Sequence, residues 1–470
     1  MCGVFSFLKA AIFLLQFTSM KITHSTLTNG LRTIFVNVPD APTVTVLTLI
    51  AAGSRREKPE EHGLAHFLEH MCFKGTTTRA KAIDIARELE NLGAENNAFT
   101  GKGYTGYYAK AAAKHAPKLL DVIADLYLNP LFPEDEIEKE KGVIVEEINM
   151  YDDMPKSVVD DVYNVTMFGD TPAGRTIIGT KESVRSFTRD QIITFRKRNY
   201  HAGSTIVVVS GAFDTAVMKK EIAKRFASVP KGKLVKEPAF GLAAANVAVA
   251  SKEKPSEQTH LIIGVPSVSL HAKDDAPLRV LATILGGGMS SRLFQRLREE
   301  LGLCYYIYAN QDAHETYGDF SIGAGIPHGK EADVIREVRA VLADMKTTLV
   351  SESELSIAKN YMAGNFLMGL EASDDLAFYF GLRAAHNLPA ALPASRVREL
   401  QLVTAPDVRR VAKKLFDSTK FRAALVTPHA DRKALAELLT APLQWSIHRE
   451  CCVPHASMKA CLALQHLKYA

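Results

Sequence analysis

Leu297-Arg298-Glu299-Glu300-Leu301-Gly302 repeats, late in the chain, the pattern Leu89-Glu90-Asn91-Leu92-Gly93. Strand-like residues follow each copy, and then a helical stretch ending Ile123-Ala124-Asp125-Leu126 or Val341-Leu342-Ala343-Asp344. Next, Glu134-Asp135-Glu136-Ile137 has its counterpart in Glu352-Ser353-Glu354-Leu355, each opening a long helix. The identities are few, but the order of elements recurs, and a recurring order is the mark of duplication. The chain therefore reads as two similar α/β halves of roughly 200 residues, facing each other. Within the first half, Leu31 to Val36 and Val44 to Ile50 read as strands. Helical patterns run from Gly63 to Phe73, Ala80 to Leu92, Pro117 to Asn129 and Pro133 to Tyr151, with a strand pair, Ala98 and Tyr104 to Lys110, among them. Ile206 to Ser210 is a buried-strand run. Pro230, Gly232, Pro238, Gly241 and Pro255 punctuate the stretch between. The division that follows is an extension or signal-like segment over 1–20, a first half over 21–228, a linker over 229–256, a second half over 257–440 and a tail over 441–470.

Composition excludes several classes. The 470 residues are 47% apolar and 23% charged, the balance of a chain that buries sizeable cores, so a largely disordered chain is ruled out. The net charge of +5 is spread along the sequence and gives no argument for nucleic acid. The six cysteines form neither a disulfide framework nor a paired-Cys metal site, which suits a reducing compartment. The apolar run Ala10 to Leu15 is shorter than the roughly 20 residues of a membrane span. It lacks the arginines of a mitochondrial presequence and the small-residue cleavage site of a secretory signal, and Met20 stands just before the first strand. The expected location is cytoplasmic, the alternative being export if residues 1–19 are a genuine signal. His448, Cys451, Cys452, His455, Cys461 and His466 fit no compact zinc spacing and read as a frayed tail.

The chemistry concentrates at His66-Phe67-Leu68-Glu69-His70. Helical residues four apart share a face, so His66 and His70 can present imidazoles to one ion, and neutral imidazole suits Zn²⁺. Glu69 lies near enough to that face to reach a water on the metal. A catalytic site needs a third protein ligand and leaves one position for water, whose pKa zinc lowers to about 7. The bland alternative, two surface histidines on an amphipathic helix, is opposed by the apolar neighbours Leu64, Ala65, Phe67, Leu68, Met71 and Phe73. They bury the helix, and buried His and Glu need partners. His62 stands about 12 Å from His70 along the helix axis, too far to share the ion. The third ligand is expected to be an acid on another element, and Ile137 to Ile148 offers several. Glu140 and Glu147 lie two turns apart on one face, so one could ligate while the other orients an imidazole. Spacing does not separate Glu147 from Glu146.

Gly63-Leu64-Ala65-His66-Phe67-Leu68-Glu69-His70-Met71-Cys72-Phe73-Lys74-Gly75-Thr76 resembles the zinc site of the insulinase (pitrilysin) family of metallopeptidases, in particular the bacterial short-chain members and the β subunit of mitochondrial processing peptidase. The resemblance covers about Leu27 to Ala430. It implies an α+β fold of two duplicated halves, each a mainly antiparallel sheet packed with helices. It also implies the family's spacing of Glu, six residues, Glu, which here selects Glu140 and Glu147 and makes Glu147 the ligand. The family's Asn-Ala-x-Thr segment appears as Asn97-Ala98-Phe99-Thr100, an edge strand that takes up the substrate backbone by β-augmentation. Its Arg and Tyr seven apart appear as Arg298 and Tyr305, after the Gly-rich turn Gly286-Gly287-Gly288. Aligning Leu64 with Leu278 puts Val280, Thr283 and Ile284 in place of His66, Glu69 and His70, so the second half has lost the metal set. The resemblance thus implies a zinc endopeptidase with one Zn²⁺ per chain on His66, His70 and Glu147, and Glu69 as general base. Glu140 supports a ligand, while Arg298 and Tyr305 hold the substrate and the developing oxyanion. The implied substrates are peptides or unfolded polypeptide segments, and the implied partner is a second copy or a related chain. The rival readings are a non-catalytic subunit or scaffold of the same fold, and a zinc hydrolase acting on something other than peptides.

Overall fold

The computed structural model describes residues 20–233 and 247–443. The segment expected upstream of Met20, the middle of the expected linker and the tail from 444 onward lie outside the described residues. The first sheet holds β1 (Lys21–Thr26), β2 (Arg32–Asn37), β3 (Thr43–Ile50), β4 (Glu95–Thr100), β5 (Thr105–Ala112) and β6 (Thr205–Gly211). The second holds β7 (Val249–Glu253), β8 (Thr259–Ser267), β9 (Tyr306–Ala313), β10 (Gly318–Ile326) and β11 (Arg422–Thr427). Their spatial orders are β1-β2-β6-β3-β5-β4 and β7-β11-β8-β10-β9. Without β1, each sheet runs first, last, second, fourth, third strand of its half. Each also has one parallel pairing, β2 with β6 and β7 with β11, among antiparallel ones. Identical strand order with identical polarity is the duplication that the sequence echo implies, in an α+β chain of two mainly antiparallel halves.

The helices that matter for the site are α1 (Leu64–Met71), α2 (Ala82–Asn91), α3 (Ala116–Leu128), α4 (Glu134–Asp152), α5 (Pro155–Phe168), α6 (Asp275–Gly286) and α7 (Ser373–Ala385). The central strands β3 and β6 are buried almost throughout because both faces of the sheet are covered. Val44, Val46, Val207 and Val209 point to one face, where Leu64 and Leu68 of α1 and Leu119, Leu120 and Ile123 of α3 form the main core. Leu47, Leu49, Ile206 and Val208 alternate to the other face, which Leu376, Ala377 and Phe380 of α7 cover. That helix belongs to the second half. The exchange is reciprocal: Val158, Val159, Tyr163 and Met167 of α5, from the first half, cover Ile262, Ala424 and Val426 of the second sheet. Tyr163 also donates a hydrogen bond to Asp319 Oδ2 at 2.9 Å. Burying an aromatic or aliphatic side chain contributes about 1.5–3 kcal/mol, so these exchanged helices lock the two halves together. Among the described residues no helix is long and apolar enough to cross a membrane.

Candidate metal centre

Helix α1 positions the histidines by its burial pattern. Leu64, Ala65, Phe67, Leu68 and Met71 are buried in the core. At 3.6 residues per turn this leaves 66, 69 and 70 on the remaining stripe. The helix begins at Gly63, whose φ of 95° lies in the left-handed region. A Cβ there would stand 2.6 Å from the Ile178 carbonyl oxygen, so glycine is required both by conformation and by contact. Upstream, the buried Glu57 carboxylate accepts from Gly63 N at 2.9 Å and from Ala65 N at 2.8 Å, satisfying donors at the positive end of the helix. Sequence reasoning missed Glu57; an acid six residues before a glycine that opens an apolar helix was the available signal.

Burial pushes the Glu57 carboxyl up from 4.5 to about 8, against the pull of those two N–H donors. A folded value above the unfolded one means that the folded chain holds the proton more tightly. The stability this group contributes is therefore complete below about pH 4.5 and is lost as pH rises through 8, at up to about 1.4 kcal/mol per pH unit. Glu57→Gln does not titrate. Thermal unfolding across pH 5 to 8 is expected to move the stability difference steadily in favour of the variant. A shift toward the parent would show that the ionised carboxylate is the preferred form.

The three expected ligands converge. Candidate donor atoms of His66, His70 and Glu147 all lie within 4.8 Å of one another. Glu147 Oε2 is 3.8 Å from His66 Nε2 and 3.7 Å from His70 Nε2. Glu146, left open by spacing, is exposed and bonds Asn149 instead. His62 Nε2 turns to Thr176, bonding its carbonyl oxygen at 3.0 Å, and stands outside the cluster. Glu140 is 3% exposed; its Oε1 bonds His70 Nδ1 at 2.8 Å and its Oε2 pairs with Lys74 Nζ at 2.5 Å. Burial works against the Glu140 charge, but the His70 and Lys74 hydrogen bonds outweigh it and hold the carboxyl below its usual range. Burial, with His70 beside it, drives His66 down to about 3, so its imidazole is neutral and able to offer a lone pair. Glu69 is buried, which raises its carboxyl, while Thr100 Oγ1 donates to its Oε2.

That last contact ties α1 to β4, which carries Asn97, Ala98, Phe99 and Thr100. Strand β4 pairs only with β5 and forms a free edge of the first sheet. Between Thr100 and α5 lies a cavity of about 320 Å³ that reaches His66 and Glu147. Lys102, Asp160 and Asp161, absent from the sequence reading, also line it. Lys102 stands two residues beyond Thr100, and its Nζ bonds the Arg175 carbonyl oxygen. Burial lowers its ammonium to about 8 and raises the Asp161 carboxyl to about 6. Arg298 and Tyr305 come together. The Arg298 guanidinium lies 5.4 Å from the Tyr305 ring centre and 4.9 Å from that of Phe294, within a π-helical turn over Phe294–Glu300. Tyr305 is 73% exposed. Among the described residues neither has a recorded contact with the histidine cluster.

A protein of Mycobacterium leprae named as an uncharacterized zinc protease is 34% identical over 424 residues, covering 90% of this chain and 95% of its own length. The family pattern described as "Insulinase (Peptidase family M16)" matches residues 32–181, and that described as "Peptidase M16 inactive domain" matches 186–362. The chain belongs to the insulinase (M16) family of peptidases. A further M16-like relative, the uncharacterized zinc protease YmxG of Bacillus subtilis, is 33% identical over 87% of this chain and 98% of its own. The M16 fold is seen again in a protease from Helicobacter pylori, at TM-score 0.81 and 24% identity over 87% of this chain and 100% of that one. A Pseudomonas fluorescens structure titled a peptidase M16 inactive domain aligns at TM-score 0.80 and 22% identity over 87% of this chain and 99% of its own. The match to the inactive domain begins after the histidine cluster and includes α6, where Val280 and Ile284 are core residues.

Proposed function

We propose that this M16 chain is a zinc-dependent endopeptidase that cleaves peptides or unfolded polypeptide segments. The carrying observation is the convergence of His66, His70 and Glu147 beside the buried carboxylate of Glu69. The donor set fits Zn²⁺. Neighbouring ligand atoms of a tetrahedral ion with bonds of about 2.0–2.1 Å stand about 3.3–3.4 Å apart. The Nε2–Oε2 separations of 3.8 and 3.7 Å lie a few tenths of an ångström beyond that. The Nδ1 atom of His70 is occupied by Glu140, which leaves Nε2 for the metal. When bound, zinc would act as Lewis acid and lower the pKa of a water toward about 7. The names of the two relatives above, both uncharacterized zinc proteases, support the same reading.

The remaining chemistry belongs to side chains of this protein. Glu69 takes a proton from the attacking water and returns it to the leaving amine nitrogen. The Thr100 hydroxyl fixes the carboxylate and joins it to the strand on which the substrate lies. Strand β4 offers free main-chain groups to an extended peptide at Asn97 to Thr100, which reads backbone and tolerates varied side chains. Arg298 and Tyr305 stabilise the oxyanion of the tetrahedral intermediate. Both side chains are exposed, and a second chain presents them across a dimer. The catalytic half spans 21–228, and the half over 257–440 lacks a metal set.

The test is cleavage of a fluorogenic unfolded peptide by differently tagged chains, Glu69→Gln and Tyr305→Phe, co-expressed and purified as a mixed dimer. Each variant alone is expected to be nearly inactive, and the mixed dimer to regain roughly half the parent rate, one intact site of two. No regained activity would place Arg298 and Tyr305 within their own chain's site. Bound zinc with no cleavage by the parent would favour the scaffold reading. Separately, Glu140→Gln, which removes the charge that orients His70, is expected to weaken zinc binding about 10–100-fold in a chelator competition. Unchanged affinity would make Glu140 a purely structural ion-pair partner of Lys74.

A further inference from the structure

The second half holds a cavity of about 1120 Å³ that no step above uses. It lies between α6, α7 and the helix over Glu352–Met368, and it touches the end of edge strand β9 at Ala313. Phe366, Leu382 and Leu388 give it apolar walls. Its charged lining is Lys273, Arg279, Arg383 and Arg396 against Asp275 and Glu399, a surplus of positive charge. Asp275, 5% exposed, organises the site: its Oδ2 accepts from Arg279 Nε at 2.8 Å and from Arg396 Nη2 at 3.2 Å. Its other oxygen, Oδ1, is buried with no hydrogen-bond partner among the described residues. Among the described residues Arg279 is hydrogen-bonded through Nε, which leaves its two Nη groups to bind an acceptor.

We propose that this cavity is a second peptide site, separate from the histidine cluster, that holds the carboxyl-terminal end of a peptide. The terminal carboxylate would pair with Arg279 and Lys273, and apolar side chains would fill the space against Phe366, Leu382 and Leu388. A fatty acid would also satisfy the cations and the walls, but only a peptide brings main-chain groups to the edge strand β9 that reaches the cavity at Ala313. The volume of about 1120 Å³ exceeds the usual range for small-ligand pockets, about 300–1,000 Å³, and what one amino acid fills.

Fluorescence anisotropy of a labelled hexapeptide, as free acid and as C-terminal amide, tests this on the zinc-loaded full chain carrying Glu69→Gln. The amide is expected to bind at least ten-fold more weakly than the acid. Arg279→Gln and Lys273→Glu should each bring the acid down toward the amide. Lys273 is exposed and forms no ion pair among the described residues, so its substitution keeps the test decisive should Arg279→Gln fail to fold. Equal binding of acid and amide overturns the proposal, as does an acid preference untouched by both substitutions. Displacement by palmitate with no difference between acid and amide assigns the cavity to acyl chains and overturns it too. If no peptide is cleaved by the parent yet the acid preference persists, the endopeptidase reading fails and the second site stands.

Discussion

Replacing Glu69 by Gln is expected to lower the rate of peptide cleavage by about 10²–10⁴-fold while leaving one zinc bound per chain. The amide keeps the shape of the side chain and can still accept from the Thr100 hydroxyl, so α1 and its contact with β4 survive. It cannot take the proton of the attacking water. Because Glu69 is not among the three converging donors, metal content should not change. Activity and zinc measured on the same sample separate the outcomes. Loss of both together would make Glu69 a ligand or a structural residue. Full activity would remove it from the mechanism.

Replacing Glu147 by Gln should abolish both metal and activity. A neutral amide oxygen is a poor zinc ligand, and two imidazoles alone hold the ion weakly against a chelator. The helix that carries Glu147 is anchored by Ile137, Ile144, Val145 and Ile148, and Glu147 itself is partly exposed, so the fold should survive. Zinc after dialysis against chelator is expected to fall below about a tenth of the parent content, with melting of the metal-free forms alike within a few degrees. Retained stoichiometric zinc would exclude Glu147 from the ligand set, leaving the neighbouring acids to be tested.

Much of the site was legible because helical periodicity is strict. Once Leu64, Leu68 and Met71 are assigned to the core, His66 and His70 have one direction left. Periodicity could not choose between Glu146 and Glu147, since adjacent residues differ by only 100° and the partner helix sets the direction. Glu57 was harder to read for a related reason: its partners are backbone N–H groups exposed by the left-handed turn at Gly63, and an acid six residues before that glycine is only an indirect sign of them. In the fold, the duplication showed through the order of elements. The exchange of α5 and α7 between halves did not, because an apolar helix face says that it is covered and not which sheet covers it. The strand runs held a faint sign of it. Ile206 to Ser210 is apolar on both faces, and a strand of that kind needs a second covering layer. The cavity beside α6 left no motif, since its polar groups come from segments distant in sequence.

Zinc K-edge X-ray absorption on the purified chain, beside a metal count, tests the central assignment most directly. Ligation by His66, His70 and Glu147 predicts one zinc per chain and a first shell of nitrogen and oxygen at about 2.0–2.1 Å, with imidazole scattering that weakens in His66→Ala. A shell containing sulfur at about 2.3 Å, which only the chain's cysteines would supply, or a spectrum unchanged by His66→Ala, would contradict it.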